Sequence, residues 1–210
     1  MEPLALFPLQ LVVYPGETLN LHIFEPRYRQ LIADAESTGI RFAVPTVIEG
    51  NLRPLAGEVR LGEIVRRYPD GESDVRVIGT RIVRIVEFQR EAPGKRYPGA
   101  TVEFLPASDE EAPALNREIV ALTREIYRKL DVGREIPSVA EGFRTYDVAH
   151  YVGFTLEQEY TFLTLLDAEE RQRYLLEHLR QVDPRLGEAR RLQARAELNG
   201  HFQHLKPPNF

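Results

Sequence analysis

Short apolar runs cut by proline and glycine fill residues 1 to about 106 and predict β-strands: Leu4 to Leu6, Leu11 to Tyr14, Thr18 to Ile23 and Phe42 to Val47. Between Val59 and Val65 the apolar side chains Val59, Leu61 and Val65 alternate with charged or small ones. Val75 and Val77 resume that period of two beyond Pro69-Asp70-Gly71, which predicts a long hairpin. Gly79 interrupts its second arm before Ile82, Val83, Ile85 and Val86, as a bulge or sharp bend in a closing barrel requires. Tyr97 to Leu105 supplies one more strand. A single helix is expected inside this region, opened by Glu25-Pro26, striped by Tyr28, Leu31, Ile32 and Ala35, and ended by Gly39.

Beyond Pro106 the apolar spacing becomes helical. Ser108-Asp109-Glu110-Glu111 has the spacing of a capping box, with both glutamates expected in a first helical turn, and Leu115, Ile119, Leu122, Ile126 and Leu130 recur every three or four residues. Further helices are predicted over Tyr146 to Val152, Leu156 to Leu166, Ala168 to Arg180 and Pro184 to Leu198, with Thr155, Asp167 and Asp183 as caps. The fold class is therefore α+β: a β-rich domain over 1–106, a helical bundle over 107–198, and a tail over 199–210 expected to be flexible. The stripe Leu186, Ala189, Leu192 and Ala196 needs a partner surface, in its own bundle or in a homodimer.

Composition removes whole classes of chemistry. The 210 residues include no cysteine, so disulfides, thiolate metal sites and cysteine nucleophiles are out. No run approaches the roughly 20 apolar residues of a membrane-spanning helix and no leader pattern precedes Leu4, so a cytoplasmic location and no membrane partner are the expectation. The net charge of -5 argues against a general nucleic-acid binder. The only Gly-Lys pair, Gly94-Lys95, sits between strands and is followed by Arg96, so it is no phosphate loop. None of Ser37, Ser73, Ser108 and Ser138 lies in a nucleophile elbow or beside a lysine on a readable motif.

Three segments carry a resemblance. Leu6-Phe7-Pro8-Leu9, Val13-Tyr14-Pro15-Gly16-Glu17 and His22-Ile23-Phe24-Glu25-Pro26-Arg27-Tyr28 resemble the start of the N-terminal domain of the Lon protease family. Gly62-Glu63-Ile64-Val65, Pro69-Asp70-Gly71 and Val75-Arg76-Val77-Ile78-Gly79 with Arg81 resemble its central hairpin. Gln158 to Leu166, Asp167, Arg171 and Leu179 resemble its helical pattern. The resemblance runs from about 5 to 180 and implies a pseudo-barrel of about six strands related to the PUA fold, then a helical bundle. It also implies a role in recognising polypeptide substrates, as in stand-alone Lon-type domain proteins, without the ATPase and Ser-Lys protease modules of a full Lon protease.

The candidate site follows from that. Tyr14, Phe24 and Tyr28 are expected to line a groove for an unfolded or exposed hydrophobic polypeptide, or else to pack the barrel against its helix. Glu25 and Arg27 would orient a ligand's polar ends or pair with each other. Arg60, Arg66, Arg67, Arg76, Arg81, Arg84, Arg90 and Arg96 with Lys95 raise an RNA-binding alternative, set against cross-strand pairing with the acidic residues among them. An enzyme without a local motif is the third class. No catalytic residue, cofactor or metal ligand is assigned: His201 and His204 lack a third ligand, and His22, His150 and His178 stand singly.

Overall fold

The computed structural model describes residues 1–182. The predicted segment from Pro184 to Leu198, its cap Asp183, the pair His201 and His204 and the tail 199–210 lie outside the described residues. Chain contacts divide the protein into two compact units, Met1–Pro106 and a second that begins at Ala107.

The first unit is one mixed sheet of six strands: β1 (Glu2–Leu6), β2 (Thr18–Ile23), β3 (Phe42–Ile48), β4 (Asn51–Arg67), β5 (Ser73–Gln89) and β6 (Gly99–Leu105). The order is β2-β5-β4-β3-β1-β6, and β5 pairs again with β6, so the last five close into an irregular ring with β2 attached outside it. β5 makes this possible by changing partner along one edge. Its first part, Ser73 to Ile78, pairs with β2, and its second, Ile82 to Gln89, with β6.

The change falls at Gly79. There the β4–β5 register slips between Glu58/Arg81 and Val59/Gly79, leaving one extra residue on β5, as the isolated glycine predicts. A Cβ on Gly79 would stand 2.1 Å from the Tyr14 carbonyl oxygen, and one on Gly57 would stand 2.3 Å from that of Val13. Both glycines therefore let the segment Val13–Tyr14 cross the sheet in direct backbone contact.

That segment corrects one expectation. Leu11 to Tyr14 is not a strand, although Leu11, Val12, Val13 and Tyr14 are all buried. Its polar backbone is satisfied piecemeal: the Thr46 hydroxyl donates to the Leu11 carbonyl at 2.9 Å, and the Tyr14 amide donates to the Glu17 carboxylate at 3.0 Å. β4 also begins eight residues before the predicted hairpin arm at Val59. Pro54 conceals it, and Pro54 lies in the irregular stretch between the pairs Pro45/Ala56 and Val47/Leu52, where no ladder donor is required.

α1 (Pro26–Thr38) starts with Pro26 in its first turn and stops at Gly39 in the left-handed conformation (φ 72°). Its buried residues are the predicted Tyr28, Leu31, Ile32 and Ala35, which join the main core with Phe7, Leu9, Val13, Leu19 and Val75. A smaller cluster takes Leu6, Ala43, Ala56, Val83, Ala100 and Val102 from the five ring strands. At roughly 1.5–3 kcal/mol for each large apolar side chain removed from water, the α1 stripe offsets part of the entropy of ordering the helix, and the helix's internal hydrogen bonds add to it.

The second unit contains α2 (Pro113–Lys129), three single 3₁₀ turns over Val139–Glu141, Thr145–Asp147 and Ala149–Tyr151, then α3 (Leu156–Thr164) and α4 (Ala168–Gln181). Thr155 and Asp167 cap α3 and α4 as predicted, accepting from the amides of Gln158 and Glu170. The predicted helix over Tyr146 to Val152 is two of the 3₁₀ turns. α2 begins after Ala112, with Pro113 in its first turn and no acidic residue there, so Glu110 and Glu111 do not serve its N-terminus. Glu111 instead accepts from the Thr145 hydroxyl at 2.5 Å and from the Asn116 amide group at 2.9 Å. The buried Arg171 donates to the carbonyls of Ser108 (2.8 Å) and Leu165 (3.0 Å) and to the Thr145 hydroxyl (3.2 Å).

Candidate functional site

β2, the β4–β5 turn and the first turn of α1 meet at one corner of the first unit. The alternation of β2 buries Leu19, Leu21 and Ile23 and turns Thr18, Asn20 and His22 to the other face. Opposite His22 stands Asp74, and Tyr68 and Glu72 flank the turn that joins β4 to β5. The His22 ring is held between two carboxylates: Nδ1 to Asp74 Oδ1 at 2.8 Å and Nε2 to Glu72 Oε2 at 3.0 Å. The Tyr68 hydroxyl donates to Asp74 Oδ2 at 2.7 Å, and Arg29 of α1 donates to the Asp70 carbonyl at 2.7 Å and lies 3.5 Å from Glu72.

Burial alone would lower the His22 pKa, but hydrogen bonds and attraction from Asp74 and Glu72 outweigh it and raise the value above 6.5. Burial would raise the Asp74 pKa, yet Tyr68 and His22 hold it below the usual carboxylate range. Both imidazole nitrogens are engaged, so the ring has no open nitrogen for a substrate proton. The cluster pins β2 to the turn and to α1. It was not legible as a group in the sequence, because the partners of His22 lie 50 and 52 residues away.

The three predicted site residues part company. Tyr14 is fully buried, and Tyr28 is 1% exposed with its ring centroid 4.1 Å from that of Phe7. Burial drives the Tyr28 pKa upward, and the Arg27 guanidinium lies over its ring at 4.6 Å. Phe24 is half-buried and stacks near His22, centroids 6.1 Å apart. It directly follows the end of β2. Glu25 and Arg27 pair with each other at 2.9 Å.

A cavity of about 330 Å³ opens elsewhere on the same unit, with apolar walls that include Leu4, Ala5 and Ile40 and with Arg41, Lys95 and Tyr97 at its polar side. Lys95 and Tyr97 both donate to Asp34, whose pKa they lower. Several of the sheet arginines carry carboxylate partners: Arg76 with Glu63, Arg84 with Glu103 at 3.1 Å, and Arg81 with the buried Glu58 at 2.9 Å. No group of three or more potential metal ligands occurs among the described residues, and no described helix is long and apolar enough to cross a membrane.

Residues 3–181 match the family model of the ATP-dependent protease La (LON) substrate-binding domain, and neither a protease nor an ATPase domain is detected. Among solved structures, the chain is similar to the Lon N-terminal domain protein of Xanthomonas campestris at 25% identity and a TM-score of 0.66, covering 84% of this chain and 98% of that one. It also shares its fold with the N-terminal domain of the Mycobacterium avium complex Lon protease, at 16% identity and a TM-score of 0.68 over 86% of this chain and 99% of that one. No curated protein matches it in sequence.

Proposed function

The chain belongs to the LON substrate-binding domain family, and on that premise we propose that it binds exposed apolar segments of other polypeptides without cutting them. The observation that carries the reading is the family match over residues 3–181. Support comes from Phe24, an aromatic ring left half-buried beside a strand end, where it adds apolar contact at low entropic cost. Tyr14 and Tyr28 are buried and belong to the core, which leaves Phe24 as the contact residue of the three.

Fluorescence anisotropy with reduced, carboxymethylated lactalbumin as a permanently unfolded probe tests this, beside a labelled RNA oligonucleotide, each at low and moderate salt. Polypeptide binding should survive added salt, because apolar burial is not screened. Phe24→Ala should weaken it by about tenfold while leaving the free energy of unfolding within about 1 kcal/mol of the parent. Absence of polypeptide binding, or binding of RNA alone with a steep salt dependence, would overturn the reading.

A further inference from the structure

Among the described residues β2 has a strand neighbour on one side only. The direction in which its backbone groups point follows from the ladder. The Gly79 amide donates to the Glu17 carbonyl at 2.8 Å, and the register continues without a slip from Thr18/Ile78 to Ile23/Ser73. In an antiparallel pair, hydrogen-bonded positions alternate with open ones. Leu19, Leu21 and Ile23 therefore exchange bonds with β5, and the N–H and C=O groups of Thr18, Asn20 and His22 point the other way. No backbone or side-chain group among the described residues bonds those three N–H and three C=O groups, and Thr18 and Asn20 are exposed.

Other incompletely paired stretches are treated differently: beyond Val59, β4 pairs with β5 alone and carries register slips between Leu61/Glu63 and Ile64/Arg66, and β1 is blocked by a proline. β3 accompanies β1 only at Ala5 and Leu6. The Leu6 amide bonds the Pro98 carbonyl on one side and the Phe7 amide bonds the Ala43 carbonyl on the other, so the residue facing outward beyond β3 is Pro3. Proline has no N–H to offer, which is a common way of blocking an edge. β2 carries no proline, no lysine and no bulge to do the same.

We infer that the free edge of β2, at Thr18, Asn20 and His22, is a docking site for an extended segment of a client polypeptide, which adds to the sheet as a further strand. This rests on the polypeptide-binding reading above and gives it a location and a chemistry. Main-chain groups repeating every ~6.8 Å along a line are matched by an extended backbone and by no helix, whose bonds are spent internally. Recognition is then largely independent of side chains, as suits a domain that meets many unfolded segments. The client requirement is an unbroken run of backbone N–H groups, since a proline in register removes a donor. Phe24, next after Ile23 in the chain, supplies the apolar contact at the end of the edge.

Amide hydrogen exchange read by NMR, on the whole protein with and without saturating carboxymethylated lactalbumin, tests the site. In the free protein the Thr18, Asn20 and His22 amides should exchange quickly and those of Leu19 and Leu21 slowly. On binding, the first three should slow by about tenfold or more. Asn20→Pro should weaken binding about tenfold, whereas Asn20→Ala, which keeps the N–H and loses the 3.3 Å contact with Arg76, should bind as the parent does. Bound polypeptide with those three amides unprotected would overturn the edge assignment and leave the polypeptide reading standing. Protection in the free protein that rises with its concentration would assign the edge to a second copy and overturn the client assignment. No polypeptide binding at all would remove both.

Discussion

At the scale of single residues, two kinds of position dominate: glycines that make room for backbone, and charged side chains that are buried only where partnered. Gly79→Ala would drive a methyl group to 2.1 Å from the Tyr14 carbonyl, a backbone atom with no freedom to retreat. The expected cost is about 3 kcal/mol, seen as a lower urea midpoint at unchanged m-value, while Gly133→Ala, with nothing near its Cβ, should be close to neutral. His22 carries a pH signature. Its raised pKa means that it stabilises the fold fully below about pH 6.5, and that the contribution is lost as pH rises through the folded-state value. Asp74, held low, contributes above its ordinary value near 3.8 and is lost as pH falls through the folded-state value. Stability of the parent relative to His22→Gln should therefore peak between those limits and narrow on the alkaline side, as urea titrations across pH 4 to 8 would report. Glycine 79 was legible from sequence because isolation in a β pattern has few explanations. The His22 cluster was not, because ion pairing across β2 and β5 depends on register.

At the scale of elements, helix ends divide cleanly by how local their chemistry is. Thr155 and Asp167 cap α3 and α4 through residues three positions away, and these ends were predicted. Ser108 to Glu111 shows the same pattern but heads no helix, because Glu111 is claimed by Thr145 and Asn116. Arg171 completes that arrangement from α4, 3.7 Å from Glu111 and 4.6 Å over the Tyr146 ring. Arg171→Met keeps the volume and removes every donor, leaving the Ser108 and Leu165 carbonyls and the Glu111 charge short of a partner. We expect a loss of about 3 kcal/mol by thermal or urea unfolding, with the second unit's near-ultraviolet signal from Tyr146 and its neighbours weakened first. The same logic explains why the run Leu11 to Tyr14 reads as a strand and is not one: apolar content reports burial, and the ladder partner is a separate matter.

At the scale of the whole molecule, the first unit closes its own sheet and fills it with its own side chains. A fragment ending at Pro106 should therefore fold by itself, giving a β-type circular dichroism spectrum and one cooperative urea transition; a non-cooperative melt would refute this. The sequence by itself determined the class of fold, the amphipathic stripe of α1, the caps of α3 and α4, the bend at Gly79 and the family, because each is written in spacings of a few residues or in contiguous motifs. Only the tertiary structure decided that β5 serves β2 and β6 in turn, that Tyr14 lies in the core while Phe24 does not, and that Thr18, Asn20 and His22 face outward with no partner among the described residues. Those outcomes depend on which strands meet, in what register, and on what crosses them, and a one-residue slip would reverse which β2 residues face outward, so no local pattern could carry them.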